Sequence, residues 1–256
     1  MADLETALAD GVLTLRFNRP EVLNALSGEM ALALCEELEG AVSRRDVRVV
    51  VITGTGAAFS TGADIGGAEA HERFDVRALD AANRMVRAVV NLDKPVVAGV
   101  NGIAAGVGAS IALAADIIVA AESAAFLLAF ARVGLMPDGG ATATIAAGVG
   151  RARAMRMALL AEPLGAAEAL DAGLVTHLAG DEELDATVVR LARRLAAGPP
   201  LAFSATKKAI NAATLSHLDG ALERERTGQT ILLRTADAAE GMRAFNESRR
   251  PDFTGA

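Results

Sequence analysis

Asp138 is the residue of this chain best placed to move a proton. It stands between Pro137 and the pair Gly139-Gly140, directly after the largely apolar stretch 126–136. A carboxylate there has two possible jobs. It caps the turn, the usual work of Asp before Gly, or it sits at the mouth of an apolar cavity, where burial raises its pKa toward the range of a general base. The segment holds no second carboxylate, so base chemistry there would fall to a single group.

Two glycine-rich segments upstream offer the complementary chemistry. In Phe59-Ser60-Thr61-Gly62-Ala63-Asp64-Ile65, a turn built on Gly62 leaves the Ala63 N–H free to face a cleft. The alternative is an ordinary strand-to-helix turn capped by Asp64. In Asn101-Gly102-Ile103-Ala104-Ala105-Gly106-Val107-Gly108-Ala109-Ser110, glycines at a helix start permit close backbone approach, and first-turn amides lack internal partners. One free N–H from each segment would make an oxyanion hole for a carbonyl gaining negative charge. Tight packing alone would also account for the second glycine set.

Other motifs fail on context. Gly108-Ala109-Ser110-Ile111-Ala112 resembles a nucleophile elbow, and Asp138 and His177 follow in hydrolase order. However, ten residues separate Val100 from Ser110, where an elbow needs the strand to run into the serine. Gly54-Thr55-Gly56 hints at a dinucleotide loop, but Phe59 occupies the third glycine's place. His71, His177 and His217 lack ligand spacing, so no metal site is expected. Glu223-Arg224-Glu225-Arg226 reads as a solvated helix face.

Positioning these groups calls for an α/β body. Residues 6–9 and 12–17 flank Asp10-Gly11, a hairpin signal. Ser27 caps a helix predicted through Val42, with Met30, Leu34 and Leu38 at helical spacing. Buried strands are predicted at 47–53, 96–100 and 117–120, and helices ending near Asn91 and spanning 106–115. Residues 69–77, charged and aperiodic, read as a mobile surface loop. Helices are predicted at 153–161, 166–172, 182–197, 200–213, 214–230 and 236–247. The expected division is a strand-rich core over 1–195 and a helical region over 196–256.

Composition narrows the partners. The chain has 256 residues and a net charge of −7, with no Trp or Tyr and only 3% aromatic residues. Nucleic-acid binding would want a basic stripe and stacking rings, and neither is visible. Residues 95–115 carry no charge and include Gly102 and Gly106 in a GxxxG spacing, yet Asn101, Ser110 and the following Asp116 favour a buried strand, loop and helix over a membrane span. The first five residues contain two acids and no cationic stretch, so no signal peptide is expected. Together with a lone Cys35, this suggests a reducing, cytoplasmic setting.

Taken together, residues 18–26, 59–65, 101–116, 134–140, 240–245 and 250–253 resemble the enoyl-CoA hydratase/isomerase family, the crotonase superfamily, across nearly the whole chain. The resemblance implies a spiral of ββα units, a C-terminal helical region for trimer or hexamer formation, and an acyl-CoA thioester as substrate. Coenzyme A is then part of the substrate, and no separate cofactor is implied. By position, the N–H groups of Ala63 and Val107 would hold the thioester oxygen. Val22, Ala25, Asp64, Ile65 and Phe245 would line the CoA path, and Arg19, Lys207 and Arg250 could meet its phosphates.

The departures carry as much information. Hydratases of the family use two glutamates, whose positions here hold Ser110 and Phe130. Val107 stands where Gly or Ala is usual, so its side chain could narrow the thioester pocket. Pro137-Asp138 and the preceding residues are most similar to the single-aspartate isomerases of phenylacetate degradation. The expectation is therefore an acyl-CoA isomerase that shifts a C3 double bond to C2, with Asp138 as proton shuttle. The alternatives are an enoyl-CoA hydratase, drawing an acid from 69–75, and a non-catalytic acyl-CoA binder of the same fold.

Overall fold

Long strand, short strand and helix recur along the chain, and this recurrence builds two sheets at once. The computed structural model describes residues 2–66, 71 and 75–256. The elements are β1 (Leu4–Ala9), β2 (Val12–Phe17), α1 (Gly28–Ala41), β3 (Val49–Gly54), β4 (Ala58–Ser60), α2 (Val76–Asn91), β5 (Val96–Val100), β6 (Ile103–Ala105), α3 (Val107–Leu113), β7 (Ile117–Ala121) and β8 (Ala125–Leu127). They continue with α4 (Ala141–Leu160), β9 (Leu164–Gly165), α5 (Ala166–Asp171), β10 (His177–Ala179), α6 (Leu184–Ala196), α7 (Pro200–Thr214), α8 (Leu218–Leu232) and α9 (Ala236–Asn246).

The larger sheet runs β1-β2-β3-β5-β7-β10 and the smaller β4-β6-β8-β9. The β1–β2 hairpin is antiparallel, turning on Asp10 and Gly11, both with left-handed φ. From β2 onward the larger sheet is parallel, with Val50 opposite Val96 and Val97 opposite Ile117. In the smaller sheet Ala58 pairs with Ile103, and Ile103 with Ala125, again in parallel. From β3 to β8 each turn of chain thus adds one strand to each sheet before its helix, which is the expected ββα spiral.

The corner between the sheets is fixed by side-chain amides. Asn101 accepts from the Gly54 N–H at 3.1 Å and donates to the carbonyls of Gly56 (2.8 Å) and Ala58 (3.0 Å). Asn24, fully buried, donates to the Thr55 and Ala58 carbonyls. Gly54-Thr55-Gly56 is therefore a sheet-to-sheet corner. The core is aliphatic, as the composition requires, and Phe17 and Phe59 supply an edge-on ring pair with centroids 5.4 Å apart.

Several boundaries differ from expectation. The uncharged stretch 95–115 divides into β5, β6 and α3, and no helix among the described residues is long and apolar enough to cross a membrane. Helix α4 starts at Ala141 rather than 153 and is kinked at Gly150, which has a φ of 75°. Residues 69, 70 and 72–74 of the expected loop lie outside the described residues. Asp75 caps α2, accepting from the Arg77 backbone N–H at 2.8 Å. Helix α6 packs on the larger sheet, α8 lies on α2 and α4, and α9 lies against a 3-10 turn at Ala129–Val133.

Candidate functional site

Three segments that were singled out separately in the sequence meet where α3 begins. Gly106 caps α3 with φ 53° and ψ −133°, so the chain enters the helix with its first amides unbonded. Gly62 has a φ of 90°, and a β-carbon there would sit 2.8 Å from the Ala105 carbonyl oxygen and 3.2 Å from the Val107 nitrogen. Only glycine fits that conformation and that approach. The strand-like contact of Leu26 with this loop uses the Gly62 carbonyl and the Asp64 N–H. The N–H groups of Ala63 and Val107 therefore remain without a hydrogen-bond acceptor among the described residues.

The Asp138 segment joins this corner by packing on α3. A β-carbon on its neighbour Gly139 would lie 3.1 Å from Ser110 Cβ and 3.5 Å from Val107 Cγ2. The Val107 side chain thus packs toward the Asp138 segment. Ser110 Oγ donates to the Asp138 main-chain carbonyl at 2.8 Å. Gly139 and Gly140, both left-handed, then turn the chain into α4.

The carboxylate itself is buried, with 9% of the residue exposed. Its Oδ2 accepts from Gln229 Nε2 at 3.1 Å, while its Oδ1 accepts no hydrogen bond from the described residues. Burial pushes its pKa up from 3.8 to about 7; the Gln229 amide opposes the shift and the charge of Glu225 adds to it. A buried carboxylate with one bare oxygen, and no cation beside it among the described residues, can take up and release a proton near neutral pH.

Neither family glutamate position supplies a second acid. Ser110 spends its hydroxyl on the Asp138 backbone, and Phe130 is buried with its ring tip 3.9 Å from where a Gly106 β-carbon would be. Glu69 and Glu72 lie outside the described residues. Asp75 is engaged by the backbone and guanidinium of Arg77.

A second, outer cluster gathers the expected CoA-lining residues. Val22 ends a 3-10 turn at Pro20–Val22 and is 38% exposed, whereas Ala25 is buried. Arg19 ties this corner together, donating to the Ala25 carbonyl at 2.7 Å and to Asp64 Oδ2 at 3.0 Å. Ile65 packs with Val133 and Met242, and its carbonyl accepts from Asn246 Nδ2 at 3.1 Å. Phe245, next along α9, is 59% exposed.

Two of the three cations expected at the CoA phosphates are engaged elsewhere. Arg19 is occupied by Asp64, Asp3 and the Ala25 carbonyl. Lys207 is buried, 2.8 Å from Asp116 Oδ2, and donates to the Val89 and Lys94 carbonyls. Both cations are spent on internal partners. Arg250 is exposed.

Sequence reading missed the α8 contribution, and for Glu225 it was wrong. Glu225 is 1% exposed rather than solvated, accepting from the backbone N–H groups of Gly140 (2.6 Å) and Thr142 (2.9 Å) and from the Thr142 hydroxyl. Gln229, one turn on, is equally buried. The signal was present: positions 218, 222, 225 and 229 form one helical stripe that starts with leucines and ends with polar residues. Polar groups on a core-facing stripe need partners, since burying them unpaired is costly.

Comparison with known proteins gives a consistent result over the whole chain. The model of the family described as enoyl-CoA hydratase/isomerase matches residues 7–256. A Rhodobacter capsulatus protein named probable enoyl-CoA hydratase is 42% identical over 249 residues, covering 97% of this chain and 96% of that one. The 1,2-epoxyphenylacetyl-CoA isomerase of Escherichia coli is 40% identical over 250 residues, covering 96% and 95%. The solved structure of an enoyl-CoA hydratase from Mycobacterium avium subsp. paratuberculosis superposes with a TM-score of 0.93 at 49% identity, over 99% of both chains.

Proposed function

The chain belongs to the enoyl-CoA hydratase/isomerase family and has the crotonase fold, and from that premise we propose that it is an acyl-CoA isomerase moving a double bond from C3 to C2 of its substrate. The observation that carries this reading is the bare, buried Oδ1 of Asp138 in a corner with no second free carboxylate among the described residues. Isomerisation relocates one proton and adds no water, so one carboxylate suffices.

The proposed sequence is short. The thioester oxygen accepts hydrogen bonds from the N–H groups of Ala63 and Val107, whose freedom from other acceptors supports this role. Asp138 Oδ1 removes a proton from C2, and the electron pair delocalises through C1 onto the oxygen and through C3=C4 toward C4. The same carboxyl returns its proton at C4, leaving the double bond at C2. Each oxyanion donor contributes about 3–4 kcal/mol to such a step. Val22, Ala25, Asp64, Ile65 and Phe245 form the proposed ledge for coenzyme A, which arrives and leaves as part of the substrate.

A second reading rests on similarity to the Escherichia coli relative, which isomerises 1,2-epoxyphenylacetyl-CoA according to its name. The same corner would then act on a ring-derived acyl group. Purified protein offered 3-enoyl-CoA and 1,2-epoxyphenylacetyl-CoA separately, with products separated by mass and retention, decides between the substrates. Formation of 3-hydroxyacyl-CoA from 2-enoyl-CoA as the main activity would replace both readings with hydration. Binding with no turnover of any of these compounds would leave a non-catalytic binder.

We also infer a homotrimer or hexamer, supported by the exposed apolar side chains Leu159 and Leu160 on α4 and Leu201 and Ile210 on α7. Light scattering of the purified chain tests it, and a monomer would sink it.

A further inference from the structure

Two side chains of α8 that touch no reacting atom hold the Asp138 segment from behind. Gln229 acts like a length of backbone: its Oε1 accepts from the Met136 N–H at 3.0 Å, and its Nε2 donates to the Met136 carbonyl at 2.8 Å and to Asp138 Oδ2 at 3.1 Å. Glu225, four residues earlier, takes the Gly140 and Thr142 amides and the Thr142 hydroxyl. Those amides form the N-terminus of α4, where the helix carries its positive partial charge.

Asp138 lies two residues before the Gly140 cap of α4. An Asp side chain there ordinarily accepts the N–H two residues on, here that of Gly140, and a carboxylate so held is stabilised as the anion and becomes a poor base. Here Glu225 reaches across from α8 and occupies that place, so the Asp138 carboxyl receives no backbone N–H.

We propose, resting on the reading of Asp138 as the base, that Gln229 and Glu225 are positioning residues: Gln229 ties down Oδ2 so that only Oδ1 meets the substrate, and Glu225 caps α4 in place of Asp138. The two therefore tune the base in opposite senses. The Gln229 amide stabilises the ionised form of Asp138, and the negative charge of Glu225 opposes it.

The surrounding charges leave this arrangement intact. Helix α3 presents Ser110, which is uncharged. On α2, Asp80 pairs with Arg226 and Arg87 with Asp219, all at the exposed face, while Asn83 faces the Leu222 carbonyl. Arg224 acts on Glu225 and lowers its pKa, the one cation among the described residues to do so.

The test uses the full-length protein, wild type and the variants Glu225→Gln and Gln229→Glu. The Asp138 carboxyl is titrated by 13C NMR of aspartate-labelled protein, with Asp138→Asn assigning the signal, and kcat/KM is followed against pH. Glu225→Gln is expected to move the midpoint below about 7 by about half a unit or more, and Gln229→Glu to move it upward by a similar amount. The rising limb of kcat/KM should follow in each case. A purely structural role would lower the rate without displacing either titration. The same midpoint in all three proteins overturns the clamp, and either folded variant alone decides the sign. Wild-type turnover by Asp138→Asn would instead overturn the base assignment, whatever the titrations show.

Discussion

Asp116, half-buried, and Asp138, buried, both stand at the end of a helix or turn, and desolvation raises the pKa of both. Their partners differ. Asp116 Oδ2 accepts from the Val96 N–H at 2.7 Å and lies 2.8 Å from Lys207 Nζ, and that ammonium pulls the carboxyl back toward its ionised form. Asp138 has a neutral amide on one oxygen, no donor among the described residues on the other, and the like charge of Glu225 nearby. Desolvation alone does not make a base. A carboxylate held by a counter-charge is a structural tie, and only one left without such a partner can exchange its proton during a reaction.

Exchanging the two roles by mutation gives the largest expected effects. Asp138→Asn should lower kcat by about 10²–10⁴-fold with the fold intact, the range for loss of a general base. Conversion of 3-enoyl-CoA, with circular dichroism as the control, checks it; unchanged turnover would remove the distinction between the two sites. Asp116→Asn should do the reverse. It leaves the Lys207 ammonium buried without its partner and should cost about 3–5 kcal/mol of stability, read as a lower urea midpoint. Per folded molecule, kcat should stay near wild type. A midpoint that does not move would mean that Lys207 needs only the Val89 and Lys94 carbonyls.

The oxyanion side of the site can be broken independently of the base. Gly62→Ala forces a side chain into left-handed φ and places its β-carbon 2.8 Å from the Ala105 oxygen, so the Ala63 and Val107 loops must part. A displacement near 1 Å would lower kcat by about 10²-fold. Because the Asp138 carboxyl is untouched, its titration should stay where it is in the wild type.

What could be read from sequence was what is local. The Asp10-Gly11 turn, the Ser27 cap and the β-branched run before Gly54 each specify their element with neighbouring residues, and each appears within a few residues of its expected place. Ala58–Ser60, Ile103–Ala105 and Ala125–Leu127 were missed as strands because three residues carry no period, and their pairing is with distant chain. Helix α4 was expected from 153, whereas it begins at Ala141, where its first amides are held by Glu225 from α8. The segments around Ala63, Val107 and Asp138 were legible through their glycines. Glu225 was not, since its task depends on amides 83–85 positions away.

The smallest effect sharpens the comparison most, because it needs no substrate. Asp138 has a folded pKa of about 7 against 3.8 for the free group. Below 3.8 it is protonated in both folded and unfolded chains and contributes nothing. Between 3.8 and 7 the unfolded chain ionises while the folded one resists, so folding loses stability as pH rises, and above 7 the loss is complete. Asp138→Asn cannot ionise and escapes this loss, while its unpartnered amide hydrogens impose a cost that does not vary with pH. Glu225 is present in both proteins, so the difference between their melting temperatures reports mainly Asp138. That difference should shift in favour of the variant by a few degrees from pH 5 to pH 8, at about 2–4 °C per kcal/mol for a chain of this size, and level off beyond. Burial raises the pKa of Asp116 too, so Asp116→Asn should shift in the same direction, with the Lys207 ammonium opposing the effect in the wild type. A flat difference for Asp138→Asn would show that its carboxyl ionises in the folded protein as freely as in water, and the contrast between the two aspartates would then reduce to geometry alone.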